Sequence, residues 1–305
     1  MMTYSAHITH DQWQGLPVLR LSCGNAKLTV STFGAQPLSW IPADGCERLY
    51  LSPTAPGDGT QPIRGGIPII FPQWADLGPN TRHGFARRVP WQMMQQRTGA
   101  DYALALWRLE AAALPEPFRN ELPGQWWAEV TVVLEPWRLD VELAVGNEGA
   151  EPLTFTGGLH TYLATDDVEA SHLAGLADCC YRDANDSWAE RRDLAKQFTV
   201  AAPINRVYPA PTRPLYWQTP RHATTIEQVG FADIVVWNPW EGHGLSDLPA
   251  NGFRRFLCVE AAQLSTPITL APGQEWAGRQ TFTAIPQPGA PLPPLASTTG
   301  ARHER

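Results

Sequence analysis

From Leu16 to Trp40 the chain alternates apolar and polar positions in short pieces such as KLTVSTF, cut by Gly24, Gly34 and Pro37, which predicts repeated strand and turn. RLYLSP, ending at Pro53, is expected to form another strand. Beyond DYALALWRLE, the positions Val130, Val132 and Leu134 share one face of a strand. Trp137, Leu139, Val141, Leu143 and Val145 share one face of the next, and Glu135 and Pro136 mark the bend between them. The run PLTFTGGLHTYLAT is β-prone but broken by Gly157 and Gly158, which suggests a bulge or a close approach by a ligand. Further strands are expected at NRVYPA, TTIEQV, DIVVWNPW, RRFLCVEAAQL and EWAGRQTFTAI. In the polar stretch from Asp178 to Asn205, DSWAERRDLAKQF reads as a short helix with a solvated charged face. No internal repeat is evident. The pattern and length suit one large all-β domain or two smaller ones over residues 1–285, followed by a proline-rich flexible tail at 286–305.

One stretch resists any periodic assignment. Between Arg64 and Trp91 the chain reads RGGIPIIFPQWADLGPNTRHGFARRVPW, too rich in proline and glycine for a regular helix. A loop of this length inside a compact domain is usually a binding surface. Arg64, Arg82, Arg87 and His83 stand along it. Arginine presents a planar fork of donors matched to carboxylate or phosphate, so the cluster points to an anionic ligand that also undergoes proton transfer.

Composition narrows the partners. The 29 prolines, 25 glycines and 13 tryptophans, with only 17% charged residues, suit many strands joined by turns and an aromatic-lined groove. A formal net charge of -7 argues against general nucleic-acid binding and against anionic membranes, so an anionic substrate needs a local positive pocket. The five cysteines include the adjacent pair Cys179 and Cys180, an unsuitable disulfide, and a reducing compartment is the simpler reading. The opening residues lack a signal-peptide pattern and no apolar run is long enough to span a bilayer, which places the expectation in the cytoplasm.

Two of the eight histidines have strong local contexts, His83 between Arg82 and Gly84 and His160 after the glycine pair. Glu260 sits inside the apolar run FLCVEAA, where strand alternation could direct it to a buried or groove face. Each has a structural alternative: a core histidine bonded to a carbonyl for His160, a turn cap for His83, an ion pair for Glu260, and surface salt bridges for the arginines. HxH, HExxH and CxxC spacings are absent, so no metal is expected from His83 and His160. Nor is there a GxxxxGK, GxGxxG or GxSxG pattern, so the residues call for no nucleotide or other cofactor and no serine nucleophile.

Taken in order, IRGGIPIIFPQW, HGFAR, GLHTYL, DIVVWNPW and CVEAA closely resemble the hexose-6-phosphate mutarotase family, the glucose-6-phosphate 1-epimerases, across most of residues 49–284. The resemblance implies a galactose-mutarotase-like β-supersandwich, largely antiparallel with few short helices and forming a single domain over residues 1–285, and interconversion of the α and β anomers of a phosphorylated hexose. By matching motifs it implies Glu260 as base and His160 as acid, the histidine helped if carboxylate charge raises its pKa. It likewise implies His83 on sugar hydroxyls and Arg64 and Arg87 on the phosphate. The expected partner is a small phosphorylated hexose, with the chain a monomer.

Two positions depart from the family pattern. Arg82 stands where the family commonly has glutamine, and it could add a phosphate contact or face solvent. Asn205 stands where an acidic residue is frequent, and it keeps a hydroxyl contact without the charge. Phe71, Trp74 and Phe85 could pack on sugar CH faces or belong to the core. Competing readings are an aldose 1-epimerase for neutral sugars and a non-catalytic sugar-phosphate-binding regulatory module. Glycoside hydrolysis, which normally needs two carboxylates, ranks below both.

Overall fold

The computed structural model describes residues 4–286, so the expected tail lies, from residue 287 onward, outside the described residues. The alternating segments pair into antiparallel sheets of four, eight and nine strands. Alternation sets the layering directly. In the strand Ala103–Glu110 every second side chain, Ala103, Ala105, Trp107 and Leu109, is buried, and their neighbours are partly exposed. The expected hairpin forms as Trp126–Leu134 against Arg138–Asn147, with Glu135 and Pro136 in its turn. One apolar core gathers Leu21 and Val30 from the four-stranded sheet, Val132 and Leu143 from the nine-stranded sheet, and Val236 and Val259 from the eight-stranded sheet. This is the expected β-supersandwich.

Two expectations need correction. DSWAERRDLAKQF is not a helix: Ala184–Asp186 makes a single 3-10 turn, Ser187 and Trp188 take left-handed φ values of 51° and 63°, and Ala189–Arg192 pairs with Cys180–Asp183 at the edge of the eight-stranded sheet. The left-handed pair is incompatible with an α-helix, and the charges instead line an edge strand, where they discourage further pairing. RLYLSP forms only isolated bridges, Leu49 to Leu163 and Leu51 to Gly65, because its two leucines face different neighbours. Among the described residues the helical segments are 3-10 turns of three or four residues.

Within the eight-stranded sheet, the strand Phe256–Leu270 lies between Asp233–Asn238 and Leu153–Leu159. A register shift between Phe155 and Gly157 marks the expected bulge. Backbone makes close approaches at both glycines: a Cβ on Gly157 would stand 2.5 Å from the Ile70 carbonyl oxygen and one on Gly158 2.2 Å from that of Ala261.

Candidate functional site

Strand register decides which face Glu260 occupies. Glu260 lies opposite Val235, Val235 opposite Val207, and Val207 opposite Arg182, so these four form one cross-strand row. A second row on the same face runs through Tyr162, Cys258, Trp237 and Asn205. The alternate residues Val259 and Ala261 point the other way, into the main core. A carboxylate in an apolar run is thereby delivered to the face away from that core, yet Glu260 is only 1% exposed.

That loop is anchored by close backbone packing. Gly66 has φ of +63° and stands where a Cβ would lie 2.1 Å from the Pro37 carbonyl oxygen. Gly84, at φ +67°, would bring a Cβ to 2.0 Å from the Phe71 carbonyl oxygen. Any side chain at either position would push the loop off the sheet, so these glycines hold Arg64 and His83 in place.

His160 sits where the strand Leu153–Leu159 ends, its backbone N–H donating to the Pro68 carbonyl at 3.0 Å. The imidazole stacks on Tyr162, with centroids 4.8 Å apart and planes 11° apart, and edge contacts to His83 and Trp237 complete an aromatic enclosure. Trp74 lies beyond its other face, nearly parallel at 6.4 Å. Its Nδ1 is 3.2 Å from Glu260 Oε2, near enough for an ion pair but off the line of a hydrogen bond, and both atoms are buried without another partner. His83 takes a left-handed φ of 61°, and its Nδ1 accepts from the Ala75 N–H at 3.3 Å. The neutral ring then carries its proton on Nε2.

Burial dominates the electrostatics. It pushes the Glu260 carboxyl well above the usual carboxylate range, against the attraction of Arg87. It also holds His160 well below the ordinary imidazole value, reinforced by Arg87 and Arg64, and His83 is depressed for similar reasons. The condition that would help His160 as an acid, a pKa raised by carboxylate charge, is not met, because burial first and then the Arg87 and Arg64 charges hold it down.

The two inner arginines differ. Burial works against the Arg64 charge, but Tyr162 and Asp247 more than offset it and raise its pKa: Nε donates to Asp247 Oδ2 at 3.0 Å and Nη1 to Tyr162 Oη at 2.9 Å. Among the described residues Arg87 donates only to a backbone carbonyl, that of Arg82 at 3.2 Å; its Nε is buried without a partner, and burial brings its pKa down to about 9. No carboxylate of the described residues lies within ion-pair distance of it. A guanidinium in this state is half of an ion pair, and an anion supplied from solution would complete it.

Of the residues singled out from sequence, the fold brings together His83, His160, Glu260, Arg64 and Arg87. Arg82 stays at the rim, its side chain 61% exposed and ion-paired with Asp76. Asn205 is half-buried beside Trp237 at the far end of the second row. Phe71 and Phe85 belong to the core with Trp126, whereas Trp74 faces the site. Sequence reasoning missed Tyr162, Trp237 and Asp247. Tyr162 could have been found two residues after His160, but Asp247 lies in a polar connection 183 positions from Arg64, and no local signal links them.

A family model for aldose 1-epimerase matches residues 17–283. A protein of Cenchrus ciliaris with the provisional name glucose-6-phosphate 1-epimerase is 30% identical over 275 residues, covering 86% of this chain and 82% of its own. One from Escherichia coli K12, with the same provisional name, is 28% identical over 249 residues, covering 78% and 80%. In three dimensions the chain matches the crystal structure of YeaD from Salmonella typhimurium, provisionally described as a mutarotase, with a TM-score of 0.83 and 22% identity over 92% of this chain and 94% of that one. Matched over nearly all its strands, the chain belongs to the aldose 1-epimerase family and is an isomerase of the mutarotase type.

Proposed function

We propose that this protein interconverts the α and β anomers of a hexose 6-phosphate, glucose 6-phosphate foremost, with Glu260 and His160 moving the two protons. The reaction needs a proton removed from the anomeric hydroxyl and another delivered to the ring oxygen, two oxygens bonded to the same carbon, which suits an acid and a base 3.2 Å apart. The C1–O5 bond then breaks, the open aldehyde turns about the adjoining bond, and the ring recloses with the roles exchanged. Throughout, the pair carries one proton, so each opening leaves its total charge unchanged and a buried site bears no added charge.

With Glu260 ionised it is the base and His160 the acid, as the family resemblance implies. Burial favours the same proton on Glu260 in the empty site, so opening through Glu260 as base follows transfer of that proton to His160, and the resting form is the one from which the ring recloses. Both forms connect the same species by the same proton count. His83, donating through Nε2, is assigned to a sugar hydroxyl, and Trp74 and Trp237 to the apolar CH faces of the ring. Asn205 at the end of the second row would bond a hydroxyl as a neutral group.

The observation that carries the phosphate is Arg87, a half-buried arginine of an acidic protein whose Nε is buried without a partner and which has no carboxylate of the described residues within ion-pair distance. Neutral sugars leave it unpaired. Arg64, already shared between Asp247 and Tyr162, is the second phosphate contact, and rim Arg82 contributes mainly field. Saturation kinetics on Arg87→Met test this. The half-saturating concentration of glucose 6-phosphate should rise about 30-fold or more, the equivalent of about 2 kcal/mol for losing one partner of a buried charge pair. Any turnover of free glucose should be unaffected. An unchanged value for the phosphorylated sugar would remove Arg87 from the phosphate site.

A further inference from the structure

Cys258 has no task in the anomer exchange, yet it is fully buried two residues from Glu260 on the same strand face. One donor atom each from His160, Cys258 and Glu260 lies within 4.8 Å of the other two. Two of these residues also carry orphaned polar atoms: His160 Nδ1 and Glu260 Oε2 are buried, without a hydrogen-bond partner, 3.2 Å apart. In a tetrahedral zinc centre, bonds of about 2.0–2.3 Å put neighbouring donors roughly 3.3–3.6 Å apart. The nitrogen–oxygen separation is already close to that spacing, and small side-chain rotations would draw the sulfur in.

We propose that His160, Cys258 and Glu260 form a binding site for a thiophilic divalent cation of the zinc class, and that an ion held there shuts off anomer exchange. The donor set, imidazole with thiolate and carboxylate, suits zinc or cobalt far better than magnesium or calcium. Binding forms three bonds, from the ion to the imidazole nitrogen, the sulfur and a carboxylate oxygen. It releases two protons, one from the thiol and the one shared by the acid/base pair. The two anionic ligands cancel the charge of the ion, so the loaded site is neutral and adds no repulsion against Arg87 and Arg64. A water molecule takes the fourth position. Both proton carriers are then coordinated, which is why turnover stops.

The inference rests on the geometry of these three side chains and not on the phosphate assignment, and its first readout requires no turnover. The full chain is titrated with Co2+ and followed by absorption. The wild type should develop a thiolate-to-cobalt charge-transfer band together with the visible bands of a four-coordinate ion. Cys258→Ala should lose the charge-transfer band, and Cys180→Ala, which removes an exposed thiol elsewhere, should keep it. In kinetics, Zn2+ should inhibit the wild type, and the concentration for half-inhibition should rise at least tenfold in Cys258→Ala while its metal-free rate stays at the wild-type level. Failure of the wild type to develop the band, or its survival in Cys258→Ala, would overturn the site. A band without zinc inhibition would overturn the block on turnover.

Discussion

Arg87 is a side chain held at a cost to the empty protein. Its guanidinium is desolvated, donates to one backbone carbonyl and meets no carboxylate of the described residues. Replacing a half-buried charge that has no ion-pair partner by an apolar side chain of similar length is often stabilising, so Arg87→Met should raise unfolding stability by about 1 kcal/mol even as it weakens the phosphorylated sugar. Chemical denaturation of both proteins without ligand checks this, and a destabilised variant would mean that the charge is satisfied in the empty state. Glu260 and His160 act on transferred protons rather than on packing. The near-isosteric changes Glu260→Gln and His160→Gln should therefore each lower kcat by about 100-fold or more with the circular dichroism spectrum unchanged. Wild-type turnover in either variant would reject its role.

At the scale of elements, alternation was a reliable guide where a strand has one buried face and two partners. Val130, Val132 and Leu134, followed by Leu139, Val141 and Leu143, read correctly because each is buried in the shared core. It failed at DSWAERRDLAKQF, where the charge pattern suits a solvated helix and an edge strand equally and the sheet edge decided. The glycines of the long loop were legible as turn formers. What could not be read was their contact, since the carbonyl that crowds Gly66 belongs to Pro37, outside the loop, and the one that crowds Gly84 to Phe71, thirteen positions earlier within it. Gly84→Ala should thus destabilise by more than about 2 kcal/mol, combining a left-handed φ with an overlap against backbone that cannot rotate away. A smaller loss in denaturant midpoint would show that the loop can shift to admit the methyl group. The candidate site was legible in its polar members because their motifs are short and local. Asp247, which fixes Arg64 together with Tyr162, acts through the folded chain and left no such trace.

For the whole molecule, stability against pH depends on histidines that folding keeps neutral. Besides the site pair His83 and His160, His222 is 6% exposed with an unpartnered Nδ1, and burial lowers its pKa to about 4. The unfolded chain takes up that proton near the ordinary value of about 6.5 and the folded chain does not, so the contribution is complete above that value and is lost as pH falls towards 4. Between pH 7 and pH 5 the wild type should lose about 2 kcal/mol relative to His222→Gln, and parallel pH profiles of the two would contradict the buried neutral state.

The formal net charge of -7 repels a phosphate dianion at long range, so its recognition falls to the few cations of the long loop. The most direct test of that account is NMR magnetisation exchange between the α and β anomers of glucose 6-phosphate, with and without the protein and alongside free glucose. Acceleration should be strong for the phosphorylated sugar and weak or absent for glucose. Equal acceleration of both would contradict the arginine-bound phosphate, and acceleration of neither would contradict anomer exchange on this substrate.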